Sequence, residues 1–141
     1  MPTGAVFANE QLKLILNSVA ISNIADNAAS APLTNLYISL HTADPSAGNQ
    51  TTSEAAYIGY TRMSIDRTGT GWTVTGRVAS PNSAITFPEG TSGGETCTYA
   101  AIGTASSGAG KVLYSGTLSV SIPTGTGVIP QIKTTSTITF N

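Results

Sequence analysis

The sequence predicts a mainly β fold: a jelly-roll-like or Greek-key β-sandwich of seven to eight short strands behind one N-terminal α-helix. Three observations carry this. From residue 35 onward, apolar and polar residues alternate with period two in several stretches, the mark of strands with one buried face. Turn signals rich in Gly, Pro, Asn and Asp separate them at intervals of about 8–12 residues, the spacing of sandwiches and barrels. Ser and Thr supply roughly a quarter of the chain, far above ordinary usage, and the branched Cβ of Thr packs well on a pleated surface. A closed barrel is the second choice, and strand order stays open.

Residues 1–8, with Pro2 and Gly4, read as an extended arm. Asn9 is placed to cap a helix and Glu10 to sit in its first turn. Leu12, Ile15, Leu16 and Val19 fall at i, i+3, i+4 and i+7, one apolar stripe, so a helix is expected over residues 10–20. Leu14 and Ile21 lie off the stripe, which expects cover on two sides. Residues 24–32 are an Ala- and Asn-rich linker. The first strand, residues 35–42, sets Leu36, Ile38 and Leu40 against Tyr37, Ser39 and His41. Residues 43–56 leave regular structure through Asp44-Pro45 and Ala47-Gly48-Asn49. The next strand, residues 60–66, sets Thr61, Met63 and Ile65 against Tyr60, Arg62, Ser64 and Asp66. A loop this long in a small domain usually has a task or a partner.

Trp72, Val74 and Val78 share a strand face, with Gly76 as an expected bulge. Ile85 and Phe87 point inward on the next strand, and residues 88–94 form a Gly-rich loop. Cys97, Tyr99 and Ala101 alternate with Thr96, Thr98, Ala100 and Ile102. Residues 104–110 are a small-residue loop. Residues 111–122 are long for one strand and are expected to bend at Gly116. A final strand pairs Ile138 with Phe140. The expected organisation is an arm, helix and linker over residues 1–34 and a single β-sandwich domain over 35–141.

At 141 residues the chain can remove roughly 68–70% of its unfolded surface from water, so a core needs no metal or disulfide. The hydrophobic share is 40% and the charged share only 9%, against a typical charged share of about 25%. Formal net charge is −1, whereas soluble monomers normally carry charge clearly away from zero. A surface of Thr, Ser, Ala and Gly desolvates cheaply and suits burial against other subunits, although an ordinary extracellular β domain has the same composition. Cys97 is the single cysteine, excluding an internal disulfide and Cys-rich zinc patterns, and is expected to be a buried, inert thiol. No basic segment leads into an apolar run at the start, and no apolar stretch is long enough for a membrane helix. Synthesis in the cytoplasm is the expectation.

His41 is the sole histidine, so acid–base or metal chemistry would have to use it. Ser39, Asp44 and Ser46 are its sequence neighbours, but no G-x-S-x-G elbow exists; a structural imidazole bonded to Asp44 or a loop N–H is expected. Asp44, Asn49 and Glu54 match no calcium-loop spacing, and Asp44 is read as a turn cap. Residues 103–111, GTASSGAGK, imitate a P-loop, yet Ala105 stands at the first glycine position and Val112 replaces the magnesium-binding hydroxyl; a flexible hairpin connection is expected. The cations are scattered, which speaks against nucleic acid. Tyr37, Tyr57, Tyr60, Tyr99, Tyr114 and Trp72 would suit a sugar-binding face, packing or an interface equally. Leu12, Ile15, Leu16 and Val19 of the helical stripe, with Tyr57 and Tyr60, are the candidate assembly surfaces. No catalytic, cofactor-binding or metal residues are assigned.

The segments LYISLHTADPSAGNQTTSEAAYIGYTRM, NSAITFPEGTSGG and AAIGTASSGAGKVLYSGTL resemble a family of short tailed-bacteriophage proteins usually labelled phage tail fiber protein. The resemblance spans roughly residues 36–118 and is most specific in LHTADP and GAGKVLYSG. It implies a non-enzymatic virion structural protein without cofactors, partnered by copies of itself as dimer or trimer and by other virion proteins. Two placements compete. A capsid decoration subunit would stiffen the shell over the major capsid protein; a tail or fibre component would serve host attachment and touch a host glycan. The short length, without coiled coil or shaft repeat, makes decoration the first expectation.

Overall fold

The computed structural model describes residues 5–21 and 32–139. It is mainly β, with several antiparallel sheets and one N-terminal helix, consistent with a β-sandwich. The chain forms two compact units. One gathers the described residues up to Asn35, Asp66–Ala84 and those from Lys133 onward; the other is Leu36–Ile65 with Ile85–Ile132.

In the first unit, α1 (Ala5–Asn17) packs on a hairpin of β3 (Trp72–Thr75) and β4 (Val78–Pro81). Ala8, Leu12 and Leu16 are fully buried, the i, i+4, i+8 face that a helix turns to its core. The helix begins before the expected residue 10. Asn9 is therefore not a cap; it lies inside the helix, and its Nδ2 donates to the Gly76 carbonyl at 2.7 Å. The C-terminal end is built from afar. The last four helix carbonyls have no intrahelical partner, and Arg67 serves two of them: Nη2 donates to Leu14 O at 2.6 Å and Nε to Ile15 O at 2.5 Å. A guanidinium there also meets the negative end of the helix dipole. Ser18 then turns the chain with φ 57°.

Gly76, expected as a bulge, is instead the first central residue of the two-residue β3–β4 turn, at φ 61°. A positive φ there is what a type II′ turn demands of glycine. Trp72 is 2% exposed, and β9 (Ile138–Thr139) adds to β4 through Ala79 and Ile138. Phe140, residues 1–4 of the expected arm and residues 24–31 of the expected linker lie outside the described residues, whereas residues 5–8 of that arm are helical, not extended.

The second unit holds a four-stranded sheet in the order β2 (Met63–Asp66), β1 (Asn35–His41), β6 (Thr96–Gly103), β7 (Val112–Pro123). A smaller pair joins β5 (Ile85–Thr86) to β8 (Gln131–Ile132). Strand β1 pairs antiparallel with β6 from Tyr37↔Gly103 to His41↔Tyr99. Leu36, Ile38 and Leu40 are buried as the alternation requires, yet Ser39 and His41 are also 0% exposed. The reason is the long loop, which folds back on β1: Thr42 N–H donates to Ser53 O and Ala55 N–H to Leu40 O, each at 2.8 Å. Gly116, expected as the bend of β7, stays in register with Ala100; the register shifts after Thr117, before Ile122 meets Cys97, and again between Val112 and Tyr114.

Candidate functional site

The polar residues of β1 and of the loop at 42–62 converge on one buried cluster in the second unit. Strand alternation puts Ser39 and His41 side by side on one face of β1, and the loop supplies the rest. The imidazole Nδ1–H donates to Thr52 O at 2.9 Å. The neutral ring's Nε2 then accepts from the Ser39 hydroxyl at 2.8 Å. Burial holds the His41 pKa below its ordinary value, against weaker opposing pulls from Thr52 O and Glu54. A serine on an imidazole is the first half of a nucleophile pair. Here both are fully buried, and the third partner is a backbone carbonyl, where a triad needs a carboxylate. Asp44 is turned elsewhere: its Oδ1 accepts from Ser46 N–H at 3.0 Å and from Ser115 Oγ at 2.8 Å. Those hydrogen bonds, Ser46 N–H foremost, lower the Asp44 pKa. The carboxylate caps the Asp-Pro turn as expected, while the imidazole, expected on Asp44 or a loop N–H, bonds the Thr52 carbonyl and the Ser39 hydroxyl instead.

Two further loop residues fasten the 104–110 connection. Arg62, 8% exposed, grips Glu54 with both ends of its fork, Nε to Oε1 at 2.6 Å and Nη2 to Oε2 at 2.8 Å. It also donates from Nη1 to Ala105 O at 2.9 Å and from Nη2 to Gly108 O at 2.8 Å. Such a bidentate pair is the geometry that offsets the desolvation of a buried charge. Tyr60 completes the group: its hydroxyl donates to Glu54 Oε1 at 3.0 Å and accepts from Leu40 N–H at 3.1 Å. Gln50, also fully buried, takes Ala105 N–H on Oε1 at 2.9 Å while its backbone N–H donates to Gly110 O at 2.9 Å. Its side chain fills the space that Cβ atoms would need at Gly103 and Gly110, each only 2.0 Å from a Gln50 atom. The GTASSGAGK stretch is thus a latched hairpin connection, and its glycines make room for a glutamine where a P-loop makes room for phosphate.

The six candidate assembly residues divide. Leu12, Leu16 and Tyr57 are covered by their own chain, Ile15 and Tyr60 are half-buried, and Val19, beyond the end of α1, is 50% exposed. Tyr57 bonds Pro88 O at 2.9 Å and packs edge-on to Tyr60, which stacks on Phe87. That aromatic group is core. Cys97 is buried as expected, and burial pushes its thiol up to about 11. Among the described residues no His, Cys, Asp and Glu group has metal-binding geometry, and no helix is long and apolar enough to cross a membrane. Arg62, Gln50 and Arg67 carry much of the polar architecture without any sequence pattern pointing to them; apart from Glu54 on Arg62, their partners are backbone groups distant in sequence.

Comparison with known proteins adds the class of assembly. No curated protein matches the chain. A family model described as podophage GP4 fiber I protein gp80 matches residues 11–139, taking in α1 from its second turn and all nine strands seen among the described residues. With nearly the whole length matched, the chain belongs to this podophage fiber protein family and is a structural component of a bacteriophage virion.

Proposed function

We propose that the protein is a non-enzymatic subunit of a bacteriophage tail fibre, present in several copies and held in place by contacts with itself and with other virion proteins. The carrying observation is the family match over residues 11–139. The family's description supports the fibre placement over the capsid-decoration placement that short length favoured. The buried cluster agrees with a structural role, since His41, Glu54, Arg62 and Gln50 direct their polar atoms at their own chain. Burial of Trp72 and Tyr57 removes two rings from the sugar-face reading, and nothing else favours a glycan. Nucleic acid, membrane and cofactor have no part in this reading, and synthesis precedes assembly in the host cytoplasm.

Gold-labelled antibody against the purified chain, imaged on intact particles, tests it. Label confined to the fibres is expected, with adsorption to host cells reduced by the same antibody. Label spread over the capsid shell would overturn the fibre reading in favour of decoration.

A further inference from the structure

Among the described residues, β7 is the outer edge of the four-stranded sheet. It is also the longest strand and carries no charged residue from Val112 to Pro123. Its ladder to β6 is interrupted: Tyr99 faces Thr117 and Cys97 faces Ile122, so residues 118–121 stand opposite Thr98 alone. An ordinary bulge opposes two residues to one. This excursion is longer, and on its other side β7 has no neighbouring strand among the described residues, so that edge presents its backbone donors and acceptors outward. Leu118, Val120 and Ile122 alternate with Thr117, Ser119 and Ser121, an amphipathic strand pattern. Val120 is 76% exposed, the most open large apolar side chain in the described chain. A bulge on an edge strand usually turns that edge away from partners, and charges do the same. Here no charge guards the segment, and the bulge carries an apolar side chain outward.

We infer that residues 117–122 of β7 form a self-association surface, pairing antiparallel with the same segment of a second copy about a two-fold axis. Open backbone donors and acceptors are complemented by another strand, and an antiparallel strand meets that need with its own sequence. The uncharged segment and the net charge of −1 leave little repulsion between copies, and pairing covers Leu118, Val120 and Ile122 on both. Nucleic acid would need cations, which this segment lacks. The inference rests on the multi-copy reading above, and the two fail separately.

Sedimentation of the purified full chain over a concentration series, with Val120→Lys and Val120→Ser beside it, is the test. The wild type should associate; Val120→Lys should weaken association at least about tenfold and Val120→Ser less, with circular dichroism unchanged because the side chain is mostly exposed. Under mild oxidation, Val120→Cys should give a cross-linked dimer on a non-reducing gel, while the wild type, its Cys97 buried, should not. A wild type that is monomeric throughout overturns the surface. So does one that associates as strongly with Lys or Ser at position 120 and whose Val120→Cys variant forms no disulfide between copies. In the latter case the fibre reading survives with its contact elsewhere; label on the shell would sink that reading without touching this one.

Discussion

Substituting alanine at Gly103 tests the latch around Gln50. The backbone there is not in the left-handed region, so alanine is conformationally allowed and the effect isolates crowding. The added methyl would sit 2.0 Å from Gln50 Cδ, 2.3 Å from Nε2 and 2.5 Å from Cγ, distances that real Cβ atoms do not show. Gln50 is fully buried and has nowhere to retreat without releasing Ala105 N–H. Overpacking costs about 1–3 kcal/mol, and an orphaned buried donor about 1–3 kcal/mol more. We expect Gly103→Ala to destabilise by about 2–6 kcal/mol, which at roughly 0.3 kcal/mol per degree for this length lowers Tm by about 7–20 °C. Gln50→Ala alone should cost about 1–3 kcal/mol; Gln50 Nε2 is buried without a partner, which tempers the loss. In the double variant the three crowding atoms are gone or withdrawn, so the loss should fall short of the sum by about 1–3 kcal/mol. Gly110→Ala supplies the contrast. Its methyl would also meet Ala105 Cβ at 2.6 Å, so Gln50→Ala should relieve it only in part. Thermal and urea melts of the single and double variants beside the wild type suffice. Additivity within about 0.5 kcal/mol for Gly103 and Gln50 would refute the latch.

Three more expectations concern single groups. His41 has a lowered folded pKa from burial; its stabilisation is complete above the unfolded value near 6.5 and is lost as pH falls below it, with a slope of at most about 1.4 kcal/mol per pH unit. Urea melts between acid and neutral pH should show that slope in the wild type and lose it in His41→Ala, which itself should cost about 3 kcal/mol from the cavity and the unpaired Ser39 and Thr52 groups; an unchanged slope would place the titration elsewhere. Arg67→Ala should uncap α1 at a cost of about 2 kcal/mol, read as faster amide exchange in its last turn, with Arg67→Lys restoring only part because an ammonium lacks the fork. Leu16→Asp puts an unpaired carboxylate on a fully buried site, at a cost of several kcal/mol; an unshifted melting curve would contradict the placement of the helix stripe.

Much of this architecture is readable in the residues. The alternation at 35–42 locates β1 and its buried leucines, the one-turn spacing of Leu12 and Leu16 locates the helix core, and Asp44 before proline announces its own turn. The polar face of β1 cannot be read the same way. Alternation assumes that a polar face meets water, and here a polar loop covers it, satisfying Ser39 and His41 with the Thr52 carbonyl and with each other. The helix start is misplaced from sequence because Asn9 resembles a cap in isolation, while its partner, Gly76, is 67 residues away. Gln50 and Arg62 are illegible for the same reason: local pattern carries no record of which distant backbone group a side chain will find.

The neighbour arrangement of β1 bears on how the protein is made. Ser39 pairs with Ala101, 62 residues later, so on the ribosome β1 emerges with the 42–62 loop and β2 as its early companions among the described residues. At roughly 5–20 residues per second its apolar row waits several seconds before β6 arrives to close the sheet. High-yield production should therefore profit from a holding chaperone at the stage when residues 35–100 are out and the closing strand is not.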